Sequence, residues 1–138
     1  MTFAQTETTV EILNFIKKLK LFPYKPKLSK RIKIALDESI GFKKTDRLRN
    51  MGYEVVAIAR HAEKDVDWLN RAFANGALFV VSPDLDIPNL IEKESYPMIW
   101  IDYLHIPDSK GGKDWAQYVQ ERIKFKIRFL EEQFGGDT

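Results

Sequence analysis

The sequence predicts an α/β fold: a three-layer α/β/α sandwich around a parallel sheet of four or five strands, with an N-terminal helix and a long C-terminal helix. Three observations predict it. From residue 32 onward, short apolar runs alternate with helical patterns, the order expected of βαβ units. Two of those runs, Leu78-Phe79-Val80-Val81 and Met98-Ile99-Trp100-Ile101, are apolar at every position, as strands covered on both faces are. The chain has 138 residues, 44% of them hydrophobic, which suits a single domain with one sheet.

The elements follow in order. A first helix is expected over 8–21: Thr8 and Glu11 have capping-box spacing, and Val10, Leu13, Ile16 and Leu19 form a stripe beside Ile12 and Phe15. The Pro-rich segment 22–26 ends it, so 1–26 reads as a helical extension with a hinge at 23–26. The core is expected over 32–103. Its first strand is 32–36, followed by a turn at Asp37-Glu38-Ser39 and a helix to Met51 that Gly52 stops. The second strand is 53–58. Asp65 opens a helix carrying Trp68, Leu69, Ala72 and Phe73, closed by Asn75-Gly76. The third strand is 78–81, ended by Ser82-Pro83-Asp84; a short helix over 88–93 leads to the fourth, 98–101. Gly111-Gly112 introduces the last helix, 112–134, with Trp115, Val119, Ile123, Ile127, Leu130 and Phe134 on one stripe and Phe125 and Phe129 on a second.

Composition excludes several chemistries. There is no cysteine, so disulfides, thiolate metal sites and cysteine nucleophiles are out, and the two histidines, His61 and His105, make zinc a poor fit. Residues 1–9 lack a secretory signal's pattern and no apolar run reaches a membrane span, so a soluble cytoplasmic protein with no membrane partner is expected. The formal charge of +2 hides a segregation: residues 1–33 are net +6 and residues 61–108 net −6. Sorted charge builds fields of opposite sign on different surfaces.

In a parallel sheet all strand C-termini share one edge, where open α/β sheets bind ligands. Asp37 and Glu38 follow the first strand, Asp65 opens the helix after the second, and Asp84 and Asp86 follow the third. Gathered carboxylates repel one another unless a cation neutralises them, and such oxygen-rich sets suit Mg²⁺ or Mn²⁺. Blander roles stay open for each: Asp65 as a helix N-cap, Asp84 as turn chemistry, Glu38 and Asp86 as solvent-facing loop residues.

Leu36-Asp37-Glu38-Ser39-Ile40, then Leu48 and Met51-Gly52-Tyr53-Glu54-Val55, resembles the opening of PIN-like nucleases, in the short bacterial and archaeal branch that begins leucine-aspartate-glutamate-asparagine. Asp65, Trp68-Leu69, Ala72 and Gly76 keep the spacing of that branch's second acid and its helix, and Ser82-Pro83-Asp84-Leu85-Asp86-Ile87 is similar to its threonine-x-aspartate-x-aspartate-phenylalanine signature. Ser39, Ser82 and Ile87 depart from the usual asparagine, threonine and phenylalanine. The resemblance implies an acidic catalytic and metal site of Asp37, Asp65, Asp84 and Asp86, with Glu38 a less certain ligand, Asp67 a fallback for Asp65, and Ser82 and Ser39 supporting it. It implies a divalent-metal-dependent ribonuclease related to toxin ribonucleases, with a protein antitoxin or inhibitor as partner.

An acidic site that cuts a polyanion needs positive charge beside it. Lys43, Lys44, Arg47, Arg60 and His61 are expected near the same edge, and Lys30 and Arg31 belong to the basic arm before the first strand. Each can equally be a solvated surface residue. Phe22 and Tyr24 could stack a base or staple a helix. The second apolar face of the last helix suggests a homodimer or capture by an inhibitor. Two other functions compete: a catalytically weak RNA- or protein-binding module, and a phosphoacceptor receiver domain. The latter calls for a hydroxyl residue ending the fourth strand, where Ile101-Asp102 stands.

Overall fold

The computed structural model describes residues 3–21, 31–103 and 109–134. Helix α1 (Phe3–Leu21) precedes strand β1 (Lys33–Leu36), a 3-10 turn (Glu38–Ile40) and helix α2 (Gly41–Asn50). Strand β2 (Glu54–Ile58), helix α3 (Asp65–Ala74), strand β3 (Phe79–Val81), helix α4 (Asp86–Lys93) and strand β4 (Ile99–Ile101) follow. A second 3-10 turn (Lys110–Gly112) leads into helix α5 (Lys113–Phe134).

The described strands form one four-stranded, fully parallel sheet in the order β2-β1-β3-β4. Alternation along the strands sorts the core into two layers. Ile34, Leu36, Phe79, Val81, Ile99 and Ile101 face α1, α2 and α5, where Ile12, Phe15, Leu48, Trp115, Val119, Ile123 and Leu130 are buried. Ala35, Val80 and Trp100 face α3 and α4, against Trp68, Leu69, Ala72, Ile87 and Ile91. The α/β/α layering follows from central strands with apolar residues on both faces.

Two boundaries move for local reasons. Helix α1 begins at Phe3, so Thr8 lies inside it rather than capping it; Ala4, Gln5 and Glu7 are good helix formers and nothing there breaks the helix. Helix α4 begins at Asp86, which puts Pro88 in its first turn, where a missing N–H costs no hydrogen bond. The Pro-rich hinge at 23–26, with Phe22, Tyr24 and Lys30, and also His105, lies outside the described residues.

The last helix buries a charge. Lys126, which lies between Phe125 and Ile127, is 1% exposed. Its Nζ donates to Glu11 Oε1 at 2.9 Å and to the Trp100 carbonyl at 2.7 Å. Because Ile99 and Ile101 bond to β3, Trp100 turns its carbonyl to the sheet's free edge, and the ammonium fills it. Phe129 packs against the core while Phe125 stays exposed, so much of the second apolar face is used within the domain.

Candidate functional site: an acidic edge

The C-terminal ends of β1, β2 and β3 each lead into a loop carrying an acid, and the loops interlock through hydrogen bonds. Asp37 caps the 3-10 turn: its Oδ1 accepts from the Ser39 N–H at 2.9 Å, and its Oδ2 accepts from the Ser82 hydroxyl at 3.0 Å. The same Ser82 oxygen accepts from the Asp84 N–H at 3.1 Å, and Asp84 Oδ1 accepts from the Asp86 N–H at 2.9 Å. Ser82 is buried and thus joins the turn after β1 to the turn after β3. The resemblance implies a supporting role for Ser82, and the structure shows its hydroxyl bonded to the Asp37 carboxylate. The turn chemistry considered for Asp84 is also present, so one group serves both.

Asp65 comes from the third loop. The N-cap of α3 is Lys64, which makes no side-chain capping bond, so Asp65 stands in the first turn and its carboxylate does not serve as the cap. Burial raises its pKa above the ordinary 3.8, and the charges of Asp84, Asp37 and Asp86, together with a hydrogen bond to Asp84, raise it further. That coupling brings Asp37, Asp65, Asp84 and Asp86 into one electrostatic neighbourhood. The alternative Asp67 is exposed and acts on Tyr96 instead.

The donor chemistry fits a hard divalent cation: carboxylate oxygens with no sulfur or imidazole among them. The geometry is more open, since among the described residues no three His, Asp or Glu side chains converge as metal ligands. A bound cation would have to draw the carboxylates inward. Asp37, Asp65, Asp84 and Asp86 are the groups that would hold it. When bound, it would lower the pKa of a water and offset phosphate charge. Glu38 sits outside this set, exposed, with its carboxylate 4.0 Å from His61 Nδ1.

The basic residues divide. Lys43 is exposed near the start of α2, and Arg60 and His61 are exposed on the loop after β2, all on the acids' edge. Lys44 lies over the Trp115 ring at 5.4 Å, and the buried Arg47 Nε has no hydrogen-bond partner. Arg31 stands elsewhere: its Nε donates to the Gly52 carbonyl at 2.9 Å, at the N-terminal edge of the sheet. As a member of the basic arm it precedes β1 while Asp37 follows it, and a four-residue strand separates the two edges by roughly 13 Å.

Sequence reading missed three contributors. Tyr103, two residues beyond β4, shares a 2.9 Å hydrogen bond with the Ser39 hydroxyl and packs edge-on against Trp115 at 5.3 Å. Burial raises its phenol's pKa, the Ser39 bond opposes this, and the charges of Asp37 and Asp102 add to it. The rule that located the acids, looking just past each strand's C-terminus, would have found it. Glu63 organises the loop after β2: it accepts from the Arg60 N–H at 2.9 Å and binds Arg71, whose Nη2 also donates to the Ile58 carbonyl at 2.8 Å. The Arg71 guanidinium holds the Glu63 carboxyl down to about 2. Trp100, read as a core residue, also donates its indole N–H to the Ser82 carbonyl at 3.0 Å.

No protein-family model, curated protein or solved structure matches this chain.

Proposed function

We propose that the protein is a divalent-metal-dependent endoribonuclease that hydrolyses RNA phosphodiester bonds at this acidic edge, the toxin half of a toxin–antitoxin pair. Asp37, Asp65, Asp84 and Asp86 form the Mg²⁺- or Mn²⁺-binding set, Ser82 and Ser39 orient Asp37, and Lys43, Arg60 and His61 meet phosphate. One observation carries the reading: a partly buried Asp65, not spent on capping its helix, feels the charges of three further carboxylates from two other loops. Such repulsion costs stability in the free protein and favours a cation. The residues that carry the resemblance to PIN-like nucleases are the same ones.

The test is to incubate the protein with a panel of RNAs in Mg²⁺, in Mn²⁺ and in chelator, beside Asp84→Asn. Metal-dependent cleavage that falls at least about 100-fold in the variant is expected, because carboxylates that hold a catalytic metal act as a unit. Cleavage persisting in chelator, or equal in the variant, would overturn the proposal. The competing reading, a catalytically weak module that binds RNA or protein, is favoured by the open spacing of the carboxylates. It predicts RNA retention without cleavage in either protein.

A further inference from the structure

Lys126 is the one charged side chain buried in the core among the described residues, and its contacts begin a continuous series of hydrogen bonds to the acidic edge. Glu11 of α1 accepts from its Nζ at 2.9 Å, and the same Nζ donates to the Trp100 carbonyl at 2.7 Å. The Trp100 indole N–H donates to the Ser82 carbonyl at 3.0 Å on the far side of the sheet. The Ser82 hydroxyl donates to Asp37 Oδ2 at 3.0 Å and accepts the Asp84 N–H at 3.1 Å. A second tether holds α1 over the β4 edge, where Lys18 Nζ donates to the Ile91 carbonyl at 2.9 Å.

We propose that Lys126 is a positioning residue for the acidic edge, and that docking of α1 through Glu11 thereby controls the geometry of Asp37 and Asp84. A buried ammonium without its carboxylate is strongly unfavourable, so withdrawing Glu11 forces Lys126 to seek water and release the Trp100 carbonyl. That carbonyl and the Trp100 indole belong to one residue of a three-residue strand, so the peptide cannot tilt without moving the ring from Ser82. Ser82 in turn is the only described hydrogen-bond link between the side chain of Asp37 and the backbone of Asp84. Helix α1, read from the sequence as a mere extension, becomes the outer support of the site. The proposal rests on the acidic edge being the working site, but its central test does not use cleavage.

The experiment compares the ¹⁵N-labelled full chain with Lys126→Met, Glu11→Gln and the control Lys124→Met, whose wild-type side chain is exposed. Hydrogen exchange is followed at the Trp100 indole N–H, the Asp84 amide and the Glu54 amide, which bonds the Ile32 carbonyl on the far side of the sheet. Lys126→Met should speed exchange at Trp100 and Asp84 about tenfold, the scale set by losing a hydrogen bond to a charged donor. Glu54 should keep its rate, and Lys124→Met should change none of the three. Equal acceleration at all three reporters means that Lys126 only stabilises the fold, and overturns the proposal; so does no change, or a change at Trp100 that stops short of Asp84. Should Lys126→Met not fold, Glu11→Gln decides by the same three reporters. A parallel Mn²⁺ titration separates the two ideas: a wild-type protein that does not bind Mn²⁺ sinks the nuclease reading while leaving the exchange result to decide the relay.

Discussion

Replacing Asp65 by Asn should stabilise the metal-free protein, the opposite of what a substitution at a partly buried position usually does. The carboxyl is pushed above its ordinary 3.8 by burial and by the charges of Asp84, Asp37 and Asp86. Two like charges about 7 Å apart at an effective dielectric near 40 repel by roughly 1 kcal/mol. Three such neighbours, screened by partial exposure, leave a net gain of about 1 kcal/mol, and the Asn amide N–H can donate to the Asp84 carboxylate where an ionised Asp65 cannot. For a chain of this length that raises Tm by about 4 °C. The sign with pH is fixed by linkage: a carboxyl raised in the folded state carries its penalty above the folded pKa and sheds it as pH falls toward 3.8. The advantage of Asp65→Asn should therefore be full at pH 7 and vanish below about pH 4, and it should shrink in high salt. Thermal unfolding by circular dichroism, with chelator and across that pH range, measures it. A variant less stable than wild type at pH 7, or a pH-independent difference, would refute the claim that like charge is concentrated there. Added Mn²⁺ should reverse the order, stabilising wild type more than the variant.

Glu63→Gln tests the loop after β2. The wild-type carboxyl, held down to about 2 by Arg71, contributes stability present above its ordinary 4.5 and lost as pH falls from 4.5 toward 2. Allowing for solvent screening of this edge-on pair, the variant should lose about 1–2 kcal/mol at pH 7 in denaturant unfolding, with the gap closing near pH 2. Gly112→Ala tests the seam between α2 and α5. Gly112 has φ +72°, and an added Cβ would come within 2.6 Å of Lys44 Cγ, so Lys44 must leave the Trp115 ring. A loss of about 1–2 kcal/mol and a shift in Trp115 fluorescence are expected, since the backbone strain adds to the displaced contact. An unshifted emission would show that Lys44 does not rest on that ring.

Much of the site was legible because strand ends are legible. Runs such as Leu78-Phe79-Val80-Val81 announce buried strands, and parallel topology then sends whatever follows each strand to the same edge; Asp37, Asp65 and Asp84 needed nothing more. The departures have equally local causes. Asp65 looked like an N-cap because acids favour helix starts, but Lys64 takes the cap position without a side-chain bond and leaves Asp65 free of that duty. Arg31 and Asp37 are near one another in sequence, yet a strand lies between and carries them to opposite edges.

The sequence by itself determined the layers, the order of elements and the edge at which the acids gather, since all three follow from residue periodicity and the direction of short strands. Tertiary structure alone decided which polar groups meet. Ser82 reaches Asp37 across 45 residues of chain, and Lys126 reaches Glu11 across 115. Nothing local marks Lys126 as buried, because a long basic side chain on a helix is ordinarily solvated; it is buried here because β4 leaves an unpaired carbonyl at the sheet edge and α1 brings a carboxylate to the same point. Such pairings depend on how elements dock, and docking is set by the shape and polarity of surfaces that come together only once the chain has folded.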